Sequence, residues 1–361
     1  MPFPLILLSW FRENHRELPW RSTTDPYAVW LSEIILQQTQ VKQGWDYFER
    51  FLRHWPTVGQ LAAATEDEVL REWQGLGYYS RARNLHAAAR QVVAMGGFPN
   101  TVEGLRKLKG VGDYTAAAVG SIAFGLPVAV VDGNVYRVLS RHFGIDTPID
   151  TNEGKREFGT LAQSLLPTGP ATEADGYGPV VSLSSAYNQA IMDFGATQCT
   201  PQSPHCCDSG PYGGGCPLQE TCVAFREGRV NALPVKLKRL KVRERHLAYI
   251  YIRCKGMTAI HRRGAGDIWQ GLWEPFVSEH SSATETLPSE LPFVVHRLAL
   301  VRRNVRHVLT HQVLLADFYL YETDERPSLP ADYIWIPEAD IVNYAVPRLV
   351  ERFFEVISGK W

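Results

Sequence analysis

Five of the six cysteines fall between residues 199 and 222, and only Cys254 stands apart. Disulfides scattered through a fold do not crowd in this way, so the cluster points to a metal or iron–sulfur site. The intervals are Cys199-x6-Cys206, then Cys207, then Cys216-x5-Cys222. Four thiolates suffice for a cubane iron–sulfur cluster, and the same set binds tetrahedral zinc. A second chemical feature is Glu33, a lone carboxylate among Trp30, Leu31, Ile34 and Ile35. Burial beside such neighbours disfavours the charged form and raises the pKa. At an ordinary value of about 4.3, roughly 0.2% of a carboxyl is protonated at pH 7, and at about 6.5 roughly a quarter is. That hundredfold gain suits a proton donor, whereas an ion-pair partner would need no apolar setting. Asp132, in VDGNVYRVL, reads either as a functional carboxylate or as a helix cap. Gly110-Val111-Gly112 closes a leucine-paced approach, with Asp113 and Tyr114 opening an alanine-rich segment. Such a turn exposes backbone N–H groups to an anion at a helix start, or it serves only to turn the chain.

The elements that position these residues follow from periodicity. Residues 1 to about 195 read as helix after helix. Asp25-Pro26 is a start signal, after which Tyr27, Trp30, Leu31 and Ile34 recur at helical spacing. Thr65 with Glu68 forms a capping box ahead of VLREWQGLG. Residues 77–97 are amphipathic, and 169–185, rich in Gly, Pro and Ser, reads as an inserted loop. The stretch 231–246 is a proline-marked basic linker. Beyond it, β-branched and aromatic residues alternate, and VPRLVERFFEVI closes as a helix, so 245–361 is a mixed α/β domain. A length of 361 residues fits two domains. A net charge of −1 means that any polyanion-binding surface must come from local patches. The first residues, MPFPLILLSWFRENHRE, suit an amphipathic helix better than a signal or a membrane span, which makes the cytoplasm the expected location.

Four strings occur in one order over most of residues 10–230: LPWR…DPYAVWLSEIILQQTQV, GLGYYSRARNLH, LRKLKGVGDYTAAAV and VVDGNVYRVLSR. Together they resemble the MutY-type adenine DNA glycosylases of the endonuclease III superfamily. The resemblance implies a mainly α helix–hairpin–helix glycosylase domain with an iron–sulfur module (1–228), a linker (229–245) and an α/β Nudix-like domain (246–361). It implies a base-excision repair enzyme that flips adenine mispaired with 8-oxoguanine or guanine out of duplex DNA and hydrolyses its glycosidic bond. Glu33 matches the acid that protonates adenine at N7, Asp132 the carboxylate facing the sugar cation, and Asn134 a residue orienting both. Bifunctional relatives carry a lysine where Tyr114 stands; a phenol forms no Schiff base, so the resemblance implies a monofunctional enzyme that leaves an abasic site.

Arg16, Trp20 and Gln189 match the adenine pocket. Gln38 matches the residue entering the helix, Tyr78 its neighbour beside the damaged guanine, and Gly110 and Gly112 the phosphate-binding hairpin. The family's cysteines are spaced x6, x2, x5, and a 4Fe–4S cluster on Cys199, Cys206, Cys216 and Cys222 keeps both outer intervals. CDSGPYGGG lengthens the middle one, and Cys207 is the alternative second ligand. In the second domain the catalytic Nudix cluster is absent from GLWEPFVSEHSSATETL, which argues against pyrophosphate hydrolysis. Leu309, Thr310 and His311 match the loop that senses 8-oxoguanine, with leucine where the family has an aromatic ring. Lys236, Lys238, Arg239, Lys241 and Arg243 offer either phosphate contacts or a solvated charge run. A nucleoid-associated monomer with no membrane contact is expected. The alternatives are a related glycosylase for thymine or a damaged pyrimidine, and a non-catalytic DNA-binding protein on the same scaffold.

Overall fold

The helices appear where apolar periodicity and caps place them. The computed structural model describes residues 2–171, 175–206, 215–237, 242–280, 291–293 and 297–358. In chain order the helices are α1 (Phe3–Asn14), α2 (Pro26–Leu36), α3 (Val41–His54), α4 (Val58–Ala63), α5 (Glu66–Glu72), α6 (Ser80–Ala94), α7 (Val102–Leu105), α8 (Asp113–Phe124), α9 (Gly133–Phe143), α10 (Asn152–Leu165), α11 (Leu183–Thr197), α12 (Val223–Arg226) and α13 (Arg348–Ile357). Two compact units result: Met1–Ala63 with Asn84–Lys238, and Ala64–Arg83 with Arg239–Trp361. The second unit thus includes a 20-residue segment from within the run of helices.

In the first unit, α2 is buried along its length from Tyr27 to Ile35. A helix apolar on every face can only sit inside a core. Asp25 starts it, its carboxylate accepting from Tyr27 N and Ala28 N, with Pro26 at the first helical position. Helix α2 packs on α3 and α8, while α11 packs on α1, α8 and α9. One apolar cluster joins Phe3, Leu7, Trp10 and Phe11 of α1 to Leu139 and Phe194, so the opening apolar run is the amphipathic helix its sequence implies. Loop 169–185 ends earlier than its composition suggests, because Ser182 caps α11 by accepting from Ser185 N. Among the described residues, no helix is long and apolar enough to cross a membrane.

The second unit carries a seven-stranded mixed sheet of β1 (Arg243–Cys254), β2 (Met257–Arg262), β3 (Trp273–Glu274), β4 (Phe276–His280), β5 (Leu298–Val308), β6 (Gln312–Thr323) and β7 (Tyr333–Pro337). Strands β1 and β6 run parallel from the Arg243–Gln312 pair to the Cys254–Thr323 pair, and the other pairings are antiparallel. Helix α13 covers one face, where Phe353 stacks on Phe318 at 4.3 Å between ring centres. Two details refine the linker. Strand β1 begins at Arg243, inside the stretch assigned to a linker. Before it, Leu233 is buried and Val235 accepts from Ile149 N, so residues up to there belong to the first unit. Lys238, Arg239 and Lys241 lie outside the described residues. Thr65 and Glu68 form the expected capping box at α5.

Candidate active site

Three helices and the segments beside them line one cavity of about 340 Å³ in the first unit. Helix α2 supplies Glu33, the N-terminus of α8 supplies Tyr114, and α9 supplies Asp132 and Asn134 at its start; Arg16, Trp20, Arg21 and Gln38 complete the wall. Glu33 is 9% exposed and accepts a 2.7 Å hydrogen bond from the Tyr114 hydroxyl. Burial drives its pKa up to about 7, with Asp132 adding to the rise and the Tyr114 bond and Arg21 opposing it. The burial read from the apolar neighbours of Glu33 is present, and it favours the protonated carboxyl toward neutrality.

Asp132 answers to both of its sequence readings. As the N-cap of α9 its Oδ1 accepts from Val135 N at 2.8 Å, and its Oδ2 accepts from Asn134 Nδ2 at 2.7 Å. It lines the same cavity as Glu33 while doing so. Burial raises its pKa even though these bonds and Arg137 pull the other way. Asn134 is oriented in turn by Arg137, whose guanidinium donates to Asn134 Oδ1 at 2.8 Å, Gly195 O at 2.6 Å and Cys199 O at 2.7 Å. Side chains on one face of α9 thus tie the acidic pair to the cysteine loop.

Sequence reasoning missed Arg21 and Asp193, although Arg21 ends the LPWR string it singled out and Asp193 stands four residues after Gln189. Asp193 is fully buried between two arginines: Arg16 donates through Nε at 2.8 Å and Arg21 through Nη2 at 2.7 Å. Burial raises the Asp193 pKa, but the two guanidiniums outweigh it and hold the carboxylate below its usual range. Gln189, expected with Arg16 and Trp20, instead lines an adjacent cavity of about 320 Å³ that shares Arg16, Leu18 and Arg21 with the first. There it donates to Ser185 Oγ at 3.4 Å.

The hairpin glycines divide in their roles. Gly110 has φ +75°, and a Cβ there would meet Asn84 Cβ at 2.6 Å, so only glycine fits. Gly112, the N-cap of α8, is extended, and a Cβ there would meet nothing within 4 Å. Its surroundings are open at a helix N-terminus, which is the geometry an anion needs.

Cys199, Cys206, Cys216 and Cys222 line one cavity with Arg141 and His142. Burial pushes the Cys216 thiol up to about 12, and the three other thiols add to the rise. Arg141, almost fully buried, donates to Cys199 Sγ at 3.4 Å and to the carbonyls of Thr200, Val230 and Leu233. Cys207 lies outside the described residues. Among the described residues, no three His, Cys, Asp or Glu side chains converge closely enough to hold a single metal ion.

The second unit has its own cavity, of about 410 Å³, lined by Tyr78 from the 64–83 segment and by Trp269, Leu309, Thr310 and His311. The Tyr78 and Thr310 hydroxyls hydrogen-bond to each other. Tyr78 therefore shares a cavity with Leu309, Thr310 and His311.

Residues 31–163 match the HhH-GPD superfamily of base excision DNA repair proteins, and residues 248–356 match the NUDIX domain. The mouse protein named adenine DNA glycosylase is 33% identical over 414 aligned residues, covering 97% of this chain and 76% of the mouse protein. The chain belongs to the adenine DNA glycosylase family. The rat adenine DNA glycosylase is 43% identical over 242 residues, 63% of this chain and 43% of the rat protein, so the chain spans less than half of that relative. Among solved structures, a thermostable thymine-DNA glycosylase superposes with a TM-score of 0.53 at 28% identity, covering 62% of this chain and 95% of its own.

Proposed function

We propose that this protein excises adenine from duplex DNA in which the base stands opposite 8-oxoguanine or guanine, as a monofunctional base-excision repair glycosylase. The observation that carries the reading is Glu33: buried on the cavity wall, half-protonated near pH 7, and sharing its cavity with Asp132. Breaking a bond to a purine needs an acid on the leaving base and an anion for the oxocarbenium-like sugar. Glu33 gives its proton to N7 of the extruded adenine, the C1′–N9 bond cleaves, and the electron pair leaves with the base. Asp132 faces the sugar cation. Glu33, now a carboxylate, takes a proton from the water that attacks C1′. Tyr114 holds Glu33 through its hydroxyl and carries no amine, so no Schiff base forms and strand scission does not follow. Trp20 and Arg16 bound the base, Gln38 fills the vacated stack, and Gly110 and Gly112 meet a backbone phosphate. Leu309, Thr310 and His311, with Tyr78, read the 8-oxo base from the cavity of the second unit.

A 4Fe–4S cluster is the group proposed for Cys199, Cys206, Cys216 and Cys222. The lining of one cavity by all four supports it, since a cubane is held by four thiolates. The cluster would hold the loop of residues 199–222 in place for DNA, and Arg141 would balance its charge. A brown solution absorbing near 400 nm, with iron and sulfide in equal amounts, is the expected result; stoichiometric zinc in colourless protein would reject it.

The function is tested by base release on duplexes carrying A:8-oxoG, A:G and T:G. Adenine release, fastest opposite 8-oxoguanine and without strand cleavage, is expected. Preferential thymine release would instead place the activity with the thymine-specific enzymes.

A further inference from the structure

Trp269 is a bulky aromatic residue in the left-handed backbone region, with φ +61°. That conformation is costly for a large side chain, by about 1–3 kcal/mol, and persists only where the surroundings over-determine it. The surroundings do so from both sides. On the N-terminal side Asp267 is clamped by Arg245, which donates to it through Nη1 at 2.7 Å and Nη2 at 2.8 Å, and by Arg263 through Nη2 at 2.7 Å. Arg263 also donates to Ile268 O at 3.0 Å. On the C-terminal side Arg83 donates to Gln270 O at 2.5 Å. Arg245 is itself buried and doubly bonded to Glu279, so the clamp is anchored in the sheet. Trp269 packs in part against the core under α13 and also lines the cavity that holds Tyr78, Thr310 and His311. Tyr78 is the other aromatic residue with positive φ among the described residues, at +46°, and it lines the same cavity. Arg263 lies 5.9 Å over the Trp269 ring and His307 meets its edge at 5.8 Å, which fixes the ring plane.

We propose that Trp269 is a specificity-determining residue: its ring is the stacking face for the 8-oxoguanine base, positioned by the Arg245–Asp267–Arg263 cluster and by Arg83. The proposal rests on the reading that this cavity receives the base opposite adenine. A flat base has two π-faces to cover as well as hydrogen bonds to make; Tyr78 offers one ring on this cavity, Trp269 a second, and Leu309 none.

The test is single-turnover adenine release from A:8-oxoG and A:G duplexes by the full chain and by W269A, W269F and W269L, with T310A/H311A as the control for the cavity. Because the cavity is assigned to the 8-oxo base, loss of its wall acts more on A:8-oxoG than on A:G. W269A and W269L are expected to lower the A:8-oxoG over A:G preference about tenfold, the scale of one base–aromatic stack, with W269F within about twofold of the parent. W269L is apolar but smaller and has no ring, so it is read against W269F, which is also smaller but keeps a ring, to separate loss of the ring from loss of packing. If W269L keeps the parent preference while T310A/H311A loses it, Trp269 is a filler and the proposal falls alone. If neither variant alters the preference, the recognition reading falls and takes this proposal with it.

Discussion

Glu33 shows how one side chain can hold opposed demands. The fold keeps it buried, which favours its neutral form, while Tyr114 donates to it, which favours the charged form. Removing the donor in Y114F is expected to raise the Glu33 pKa further, so that the fall in excision rate with rising pH moves above its position in the parent; an unshifted limb would mean that the hydrogen bond does not tune the acid. Stability follows the same carboxyl. Its folded pKa of about 7 lies above the ordinary 4.5, so the neutral acid contributes stability that is fully present below pH 4.5 and is lost as pH rises through 7. E33Q, which never ionises, should therefore gain stability over the parent at pH 8, by up to about 3 kcal/mol on the scale of 1.36 kcal/mol per pKa unit. Equal melting of the two proteins at pH 8 would contradict the buried state of the carboxyl. Trp269 belongs at this scale too, as an aromatic residue at positive φ.

At the scale of elements, α9 has one residue doing two jobs. Asp132 caps the helix and faces the cavity, and substitutions separate the roles. D132N keeps a good capping side chain and should lose excision with stability within a few tenths of a kcal/mol of the parent. D132A should lose excision and about 1 kcal/mol besides, the usual value of a cap. Activity retained in D132N would show that the carboxylate only caps. Sequence alone could not choose between the roles because a cap and a catalytic acid have the same local signature. Other elements were more legible. Helix α2 was readable from Asp25-Pro26 and the helical spacing of Tyr27, Trp30, Leu31 and Ile34, and the capping box at Thr65 from two residues. The start of β1 was hidden because Arg243 and Glu244 look like linker, yet they pair with Gln312 and Val313.

Over the whole molecule, the two-part plan was readable from the change in texture after the cysteines, whereas the segment 64–83 was not expected to group with the second unit. Nothing periodic marks that grouping, since it rests on contacts such as Arg83 with Gln270 and Arg262 with Glu66, each nearly 200 residues apart. The same limit hid the Arg21–Asp193 pair. The cysteine cavity joins the two ends of the first unit's last loop. C206S is expected to lose the 400 nm absorbance and C207S to keep it; the reverse result would move the second ligand to Cys207. The central question remains whether a half-protonated Glu33 drives the cleavage. Single-turnover adenine release from an A:8-oxoG duplex, followed from pH 5 to 9 for the parent and E33Q, answers it. A rate that falls about tenfold per unit above pH 7, with E33Q lower by 10²- to 10⁴-fold, is expected for a general acid. E33Q turning over at the parent rate would contradict it.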